Sequence, residues 1–297
     1  MRSWKPLRAL MLLPCLPLSG CESVVLHPFG AIAMQQGHLI IVSTVLMLLI
    51  VIPVLAMTLA FAWRYRASNS KAIYRPDWDH STSLELLIWS APLLIIIALG
   101  AVTWINTHTL DPYRPLQALK APAADATAGA TPLVVEVVAL DWKWLFIYPE
   151  QGIASVNELV APVNVPIRFE ITASSVMNSF YIPALAGQIY AMPGMQTELN
   201  AVINHAGIYE GFSANYSGAG FSGMHFKFHA LAQADFDAWL QATRGGGSTL
   251  SKSDYLRLAL PSEREPVHRY GGVDADLYAA ILNQCVQSGT VCRAMQP

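Results

Sequence analysis

The sequence runs to 297 residues, 54% of them hydrophobic and only 13% charged. That balance is too apolar for an ordinary soluble protein, so membrane spans come first. A formal net charge of -2 removes any reason to expect nucleic-acid binding, and four cysteines do not make a disulfide scaffold.

Residues 1–20 read as an export signal, with Arg2, Lys5 and Arg8 at the positive start and a short apolar run ending at Leu18. Leu18-Ser19-Gly20-Cys21 sets small residues before a cysteine, the order that a bacterial lipoprotein signal peptidase requires. Cys21 is therefore the expected lipidated first residue of the mature chain; a plain signal peptide or a short buried helix is the alternative. Residues 21–38 then form an exported segment. Residues 39–63 and 84–106 are apolar runs, each meeting the roughly 20 residues that a bilayer-spanning helix needs. Pro53 and Pro92 predict kinks within them, and Trp63, Trp89 and Trp104 lie toward their ends, where aromatic residues favour the interface. The connector 64–83 carries Arg64, Arg66, Lys71 and Arg75, whereas 21–38 has no Lys or Arg. The positive-inside rule makes the connector cytoplasmic and puts both ends of the mature chain outside. Glu85 is the only acid in either predicted span. It reads either as a first-turn acid after a cap such as Ser83 or as a functional ionisable group at membrane depth.

Residues 107–132 form a linker rich in Pro and Ala. From Leu133, "LVVEVVAL", "DWKWLFIY", "VNVPIRFEITA" and "GMQTELNAVI" read as strands separated by Pro and Gly turns, which predicts an all-β sandwich or barrel over 133–232. Trp142, Trp144, Phe146 and Tyr148 alternate onto one face, and packing is the reading for the two tryptophans. His225 and His229 alternate with Met224, Phe226 and Phe228 in a strand, where four residues span roughly 13 Å, too far to hold one ion. Met224 then faces the core. Residues 233–297 turn to helical patterns, interrupted by "RGGGSTLS", which reads as a flexible joint. Cys285 and Cys292 lie in an oxidising compartment under this topology. Their spacing admits a disulfide, or a helix that holds them apart.

The stretch "GFSANYSGAGFSGM" from Gly211 to Met224 has the form of a ligand loop, yet contains no Cys, His, Asp or Glu. The hairpin followed by a β domain, together with "SVMNSF", "QIYAMPGMQT" and "YSGAGFSGM", resembles subunit II of the haem–copper respiratory oxidases, from about Gly37 to about Trp239. In that family a two-helix transmembrane hairpin carries an exported, all-β cupredoxin domain. In the cytochrome c oxidases this domain holds a dinuclear copper centre. The resemblance places the first histidine ligand on Asn178, the two cysteines on Ser213 and Ser217, the intervening Glu on Asn215 and the second histidine on Phe221. Only the methionine survives, as Met224. Thiolates bridge a copper pair and imidazoles complete it, whereas hydroxyls, amides and a phenyl ring do not. The expectation is therefore no metal in this chain.

A copper-less domain resembles the cytochrome bo-type ubiquinol oxidase branch, which the lipobox and the C-terminal "SEREPVHRYGGVDADLYAAILN" also suit. The resemblance implies a non-catalytic subunit of a proton-pumping quinol:oxygen oxidoreductase of the bacterial inner membrane. Ubiquinol would be the substrate of the complex. Haems and copper would be held by subunit I, with smaller membrane subunits and lipid as further partners. It also puts Glu85 at the entrance of a proton channel. A menaquinol oxidase subunit is the alternative within the family, and a membrane-tethered copper carrier the alternative outside it.

Overall fold

A computed structural model describes residues 23–73, 75, 77–116 and 131–292. The export signal, Cys21 and most of the linker lie outside the described residues. Helix α1 (Ala31–Arg64) has no charged side chain before Arg64, and α2 (Thr82–Thr109) carries Glu85 in its first turn. Both are long and apolar enough to cross a membrane, and their apolar stretches are unburied in the isolated chain. Pro53 and Pro92 are accommodated inside the helices. The cap of α2 is Ser81, not Ser83, which falls within the helix, and the Ser81 side chain makes no capping bond.

Helix α1 begins eight residues before the expected span. At about 1.5 Å per residue its 34 residues measure about 50 Å, against roughly 30 Å of hydrocarbon. The surplus is used at the end next to the β domain. Gly30 N–H donates to Ala184 at 2.8 Å, Ala31 N–H donates to Val202 at 3.1 Å, and Ile32 joins the core of the β domain. The first membrane helix thus grows directly out of that core.

The β domain is a sandwich. Six strands run in the order β12 (His268–Tyr270), β3 (Ile153–Val156), β2 (Lys143–Tyr148), β1 (Leu133–Leu140), β5 (Ile167–Ala173) and β8 (Thr197–Ala201). Five more run β4 (Glu158–Pro162), β10 (His225–Leu231), β9 (Gly207–Ser213), β6 (Asn178–Tyr181) and β7 (Ile189–Ala191). The pairs β1/β5 and β4/β10 are parallel, and their neighbours are antiparallel. Alternation sends Trp144, Phe146, Phe169, Phe180, Phe226 and Phe228 into the space between the sheets. The rings of Phe180 and Phe226 stack across it at 5.5 Å. Each such buried side chain contributes roughly 1.5–3 kcal/mol.

The six-stranded sheet is covered on its outer face as well. Leu140, Leu145 and Ile147 pack there against Leu250, Tyr255, Leu277, Tyr278 and Ile281 from the C-terminal region. That region is less purely helical than expected. It comprises α3 (Gln233–Gly246), β11 (Thr249–Leu250), α4 (Lys252–Leu258), β12, β13 (Gly272–Val273) and α5 (Leu277–Leu282). "RGGGSTLS" is not a flexible joint: α3 runs through Gly246, and β11 pairs with β13. The glycines serve close backbone approach, since a Cβ on Gly247 would lie 2.2 Å from the amide nitrogen of Gly271. After α5 the chain turns back on itself, and Cys285 is bonded to Cys292 with the Cα atoms 4.8 Å apart.

Candidate functional site

Of the six positions that the resemblance equates with copper ligands, three gather at one end of the five-stranded sheet. Asn178 opens β6, Ser213 closes β9, and Met224 ends a single 3-10 turn, Phe221–Gly223, that leads into β10. All three are buried. Ser213 Oγ donates to Asn178 Oδ1 at 2.9 Å, and the Asn178 amide donates to the Val176 carbonyl at 3.2 Å. Ser213 N–H donates to the Met224 carbonyl at 3.2 Å, tying both ends of the loop together. Asn215 turns its amide toward the carbonyls of Met177 and Tyr216. Neutral hydrogen bonds therefore occupy the side-chain polar atoms of Asn178 and Ser213 and the amide nitrogen of Asn215.

Ser217 and Phe221 stand apart from this cluster. Phe221 packs edge-on against Tyr216, with ring centroids 5.7 Å apart. Ser217 presents its carbonyl to the indole N–H of Trp142 at 2.9 Å, and its buried hydroxyl has no partner among the described residues. The Trp142 ring lies against the loop so closely that a Cβ on Gly220 would fall 2.5 Å from Trp142 Cδ2, and one on Gly218 2.9 Å from Cζ2. Gly218 also takes φ +116°, a conformation that side chains disfavour. Loop shape is thus set by an aromatic ring bearing on glycines.

The neighbouring residue faces the other way. Lys143 is buried beneath the C-terminal region, where its ammonium donates to the Leu260 carbonyl at 2.8 Å and to Ser262 Oγ at 2.5 Å. Ser262 donates to Glu265, which also accepts from His268 at 3.0 Å. Burial pulls the Lys143 ammonium below the usual lysine range, against the opposing pull of Glu265 and Asp141. The hydrogen bond from Ser262 holds the Glu265 carboxyl below its ordinary value. Farther along, Arg269 clamps the buried Glu158 through two bonds of 2.7 Å.

Two descriptions of known families match this chain: "Cytochrome C oxidase subunit II, periplasmic domain" over residues 151–231 and "COX Aromatic Rich Motif" over residues 244–289. The chain is 51% identical to the cytochrome bo(3) ubiquinol oxidase subunit 2 of Pseudomonas putida, over 90% of this chain and 82% of that one. It belongs to subunit II of the quinol oxidases. The quinol oxidase subunit 2 of Bacillus subtilis is 38% identical over 88% of this chain and 79% of its own. Among solved structures, the periplasmic domain of subunit II of cytochrome oxidase from Bradyrhizobium japonicum is similar at 25% identity, covering 38% of this chain and 94% of that one, with a TM-score of 0.36. As a quinol oxidase subunit II, the chain is part of an oxidoreductase complex of the inner membrane and has a subunit I partner.

The remaining expected sites fall as follows. Glu85 lies far along the chain from the loop, at the start of α2, with its carboxylate 2.8 Å from His80 Nδ1 and half exposed. His225 pairs with Glu210 at 3.1 Å and His229 approaches Glu158 at 3.8 Å, so the two histidines have separate acidic neighbours. Among the described residues no three His, Cys, Asp or Glu side chains are grouped to hold a metal. Trp144 is fully buried in the core, whereas Trp142, expected beside it, is only half-buried and braces the loop. Sequence reasoning missed Lys143. The available signal was the second apolar face of β2, Leu145 and Ile147, which means that whatever shares that face is covered too.

Proposed function

We propose that this chain is the non-catalytic subunit II of a proton-pumping ubiquinol:oxygen oxidoreductase, and that it carries no copper centre. The observation that carries this reading is the chemistry at the six equivalent positions: two amides, two hydroxyls, a phenyl ring and one thioether. A thioether alone is a weak ligand, and the groups around it are soft neither in donor type nor in charge. The residues do not fit a copper pair, and no electron step is assigned to them. Electrons from a quinol dissolved in the bilayer reach the haem-bearing subunit without an outer relay, which leaves this domain to cap that subunit.

The hairpin is anchored with its basic connector in the cytoplasm and the β domain outside, and Cys21 bears lipid. The similarity to a relative named for ubiquinol supports ubiquinol over menaquinol. The test is purification of the complex in mild detergent, followed by turnover with each quinol and spin-resonance spectroscopy of the separated full chain. The expected result is a copurifying haem protein, turnover with ubiquinol and no mixed-valence copper signal. Such a signal, or stoichiometric copper on this chain, overturns the reading and favours a copper carrier.

Glu85 is assigned to the entrance of the proton path in the complex, supported by its place at the cytoplasmic end of α2 and its contact with His80. Glu85→Gln is expected to slow turnover about tenfold or more with assembly intact. Full activity in this variant removes that assignment.

A further inference from the structure

The outer face of the six-stranded sheet carries three glutamates in one row. Glu136 on β1 stands directly beside Glu170 on β5, and Glu170 stands directly opposite Glu198 on β8. Cross-strand neighbours of this kind lie roughly 5 Å apart at Cβ, and like charges there destabilise a sheet. Two of the three have partners. Arg168 Nη2 is 3.3 Å from Glu170, and Asn200 donates to Glu198 at 2.9 Å. Among the described residues Glu136 forms no ion pair with a cation, and β2 offers it Ile147 across the strand. The groups facing it are thus Glu170 and Arg168 from β5, Glu198 from β8 and Tyr278 from the overlying α5.

Tyr278 is the second observation. It is only 7% exposed, and its hydroxyl has no partner among the described residues. Burial raises its phenol above the usual range, and the charges of Glu136 and Glu170 raise it further. Two carboxyls in register under a covering helix repel each other when both are ionised, which calls for a proton on one of them.

We infer that Glu136 keeps a proton beside Glu170 under α5, and that this proton is a pH-sensitive latch holding α5 and its disulfide-closed turn on the sheet. Burial, then repulsion from Glu170, pushes the Glu136 carboxyl up from 4.5 to about 7, in agreement with this arrangement. A carboxyl raised by folding stabilises the closed latch fully below its free value and loses that effect as pH rises toward the raised one. The loss therefore falls between pH 4.5 and about 7 and levels off above it. For one proton the ceiling is about tenfold in the opening equilibrium per pH unit.

The test is amide hydrogen exchange on the full chain in detergent, corrected for intrinsic rates, read on peptides covering residues 277–285. Protection is expected to fall at least about tenfold from pH 5 to pH 7 and then to plateau. Glu136→Gln should keep it high and flat. Infrared difference spectra supply a second readout: a protonated-carboxyl band in the wild-type chain that disappears as pH rises through about 7 and is absent in Glu136→Gln. Protection independent of pH in the wild-type chain overturns the inference, as does an unchanged pH response in Glu136→Gln. If that variant does not fold, a missing titrating band in the wild-type chain overturns it alone. Recovery of protection at about pH 8 with millimolar calcium also overturns it, because a bound cation would then be the closing agent.

Discussion

Two consecutive residues at the start of β2 hold down two different parts of this molecule, and they do so by different physics. Trp142 braces the loop Gly211–Met224 with a flat ring, one neutral hydrogen bond and two glycines that leave it room. Lys143 fastens the segment from Leu260 to Tyr270 with a buried ammonium and a chain of charged partners. The first attachment works through shape and contains no titratable group. The second works through charge that is costly to bury unless every bond is made. The loop Gly211–Met224 is held in shape by the fit of the Trp142 ring against Gly218 and Gly220 and by the hydrogen bond to the Ser217 carbonyl.

The comparison is broken most severely by Lys143→Met. Ser262, Glu265 and the Leu260 carbonyl lose their buried cation, with an expected loss of about 3 kcal/mol in chemical unfolding. Hydrogen exchange should rise over residues 260–270 and stay unchanged over 213–224. The reciprocal change is Gly220→Ala, whose Cβ would meet Trp142. About 2 kcal/mol is expected from displacing a packed ring, with faster exchange confined to the loop. Ser213→Ala leaves Asn178 Oδ1 buried without its donor, for about 1 kcal/mol and with quinol oxidase turnover retained. Acid gives the smallest and sharpest contrast. The Glu265 carboxyl is held low in the folded chain, so its contribution is complete above the ordinary carboxylate range and fades as pH falls through the lowered value. A few-fold rise in exchange over residues 260–270 is expected below about pH 4, with none in the loop. Equal responses of the two segments to acid would erase the distinction.

Much of the architecture was legible in the sequence because it rests on periodicity and on uncompensated apolar length. Two long apolar runs, with Glu85 their one acid, have no stable place in water, and the alternation of Trp144, Phe146 and Tyr148 has one stable face. What failed were inferences from local composition. Three glycines read as a hinge, yet Gly247 is where two backbones touch. The start of α1 was placed at the edge of its most apolar stretch, although Ala31 to His38 continue the helix into the core of the β domain.

By itself, then, the sequence determined the hairpin, the β domain and its family, because these depend on residue type and on spacing along the chain. Only the tertiary structure decided which residues meet: Trp142 against Gly218 and Gly220, Lys143 under Leu260 and Ser262, Glu136 beside Glu170. Those partners are separated by tens of residues and meet through strand register and the folding-back of the C-terminal region, and register depends on how whole sheets bury their faces rather than on any local pattern.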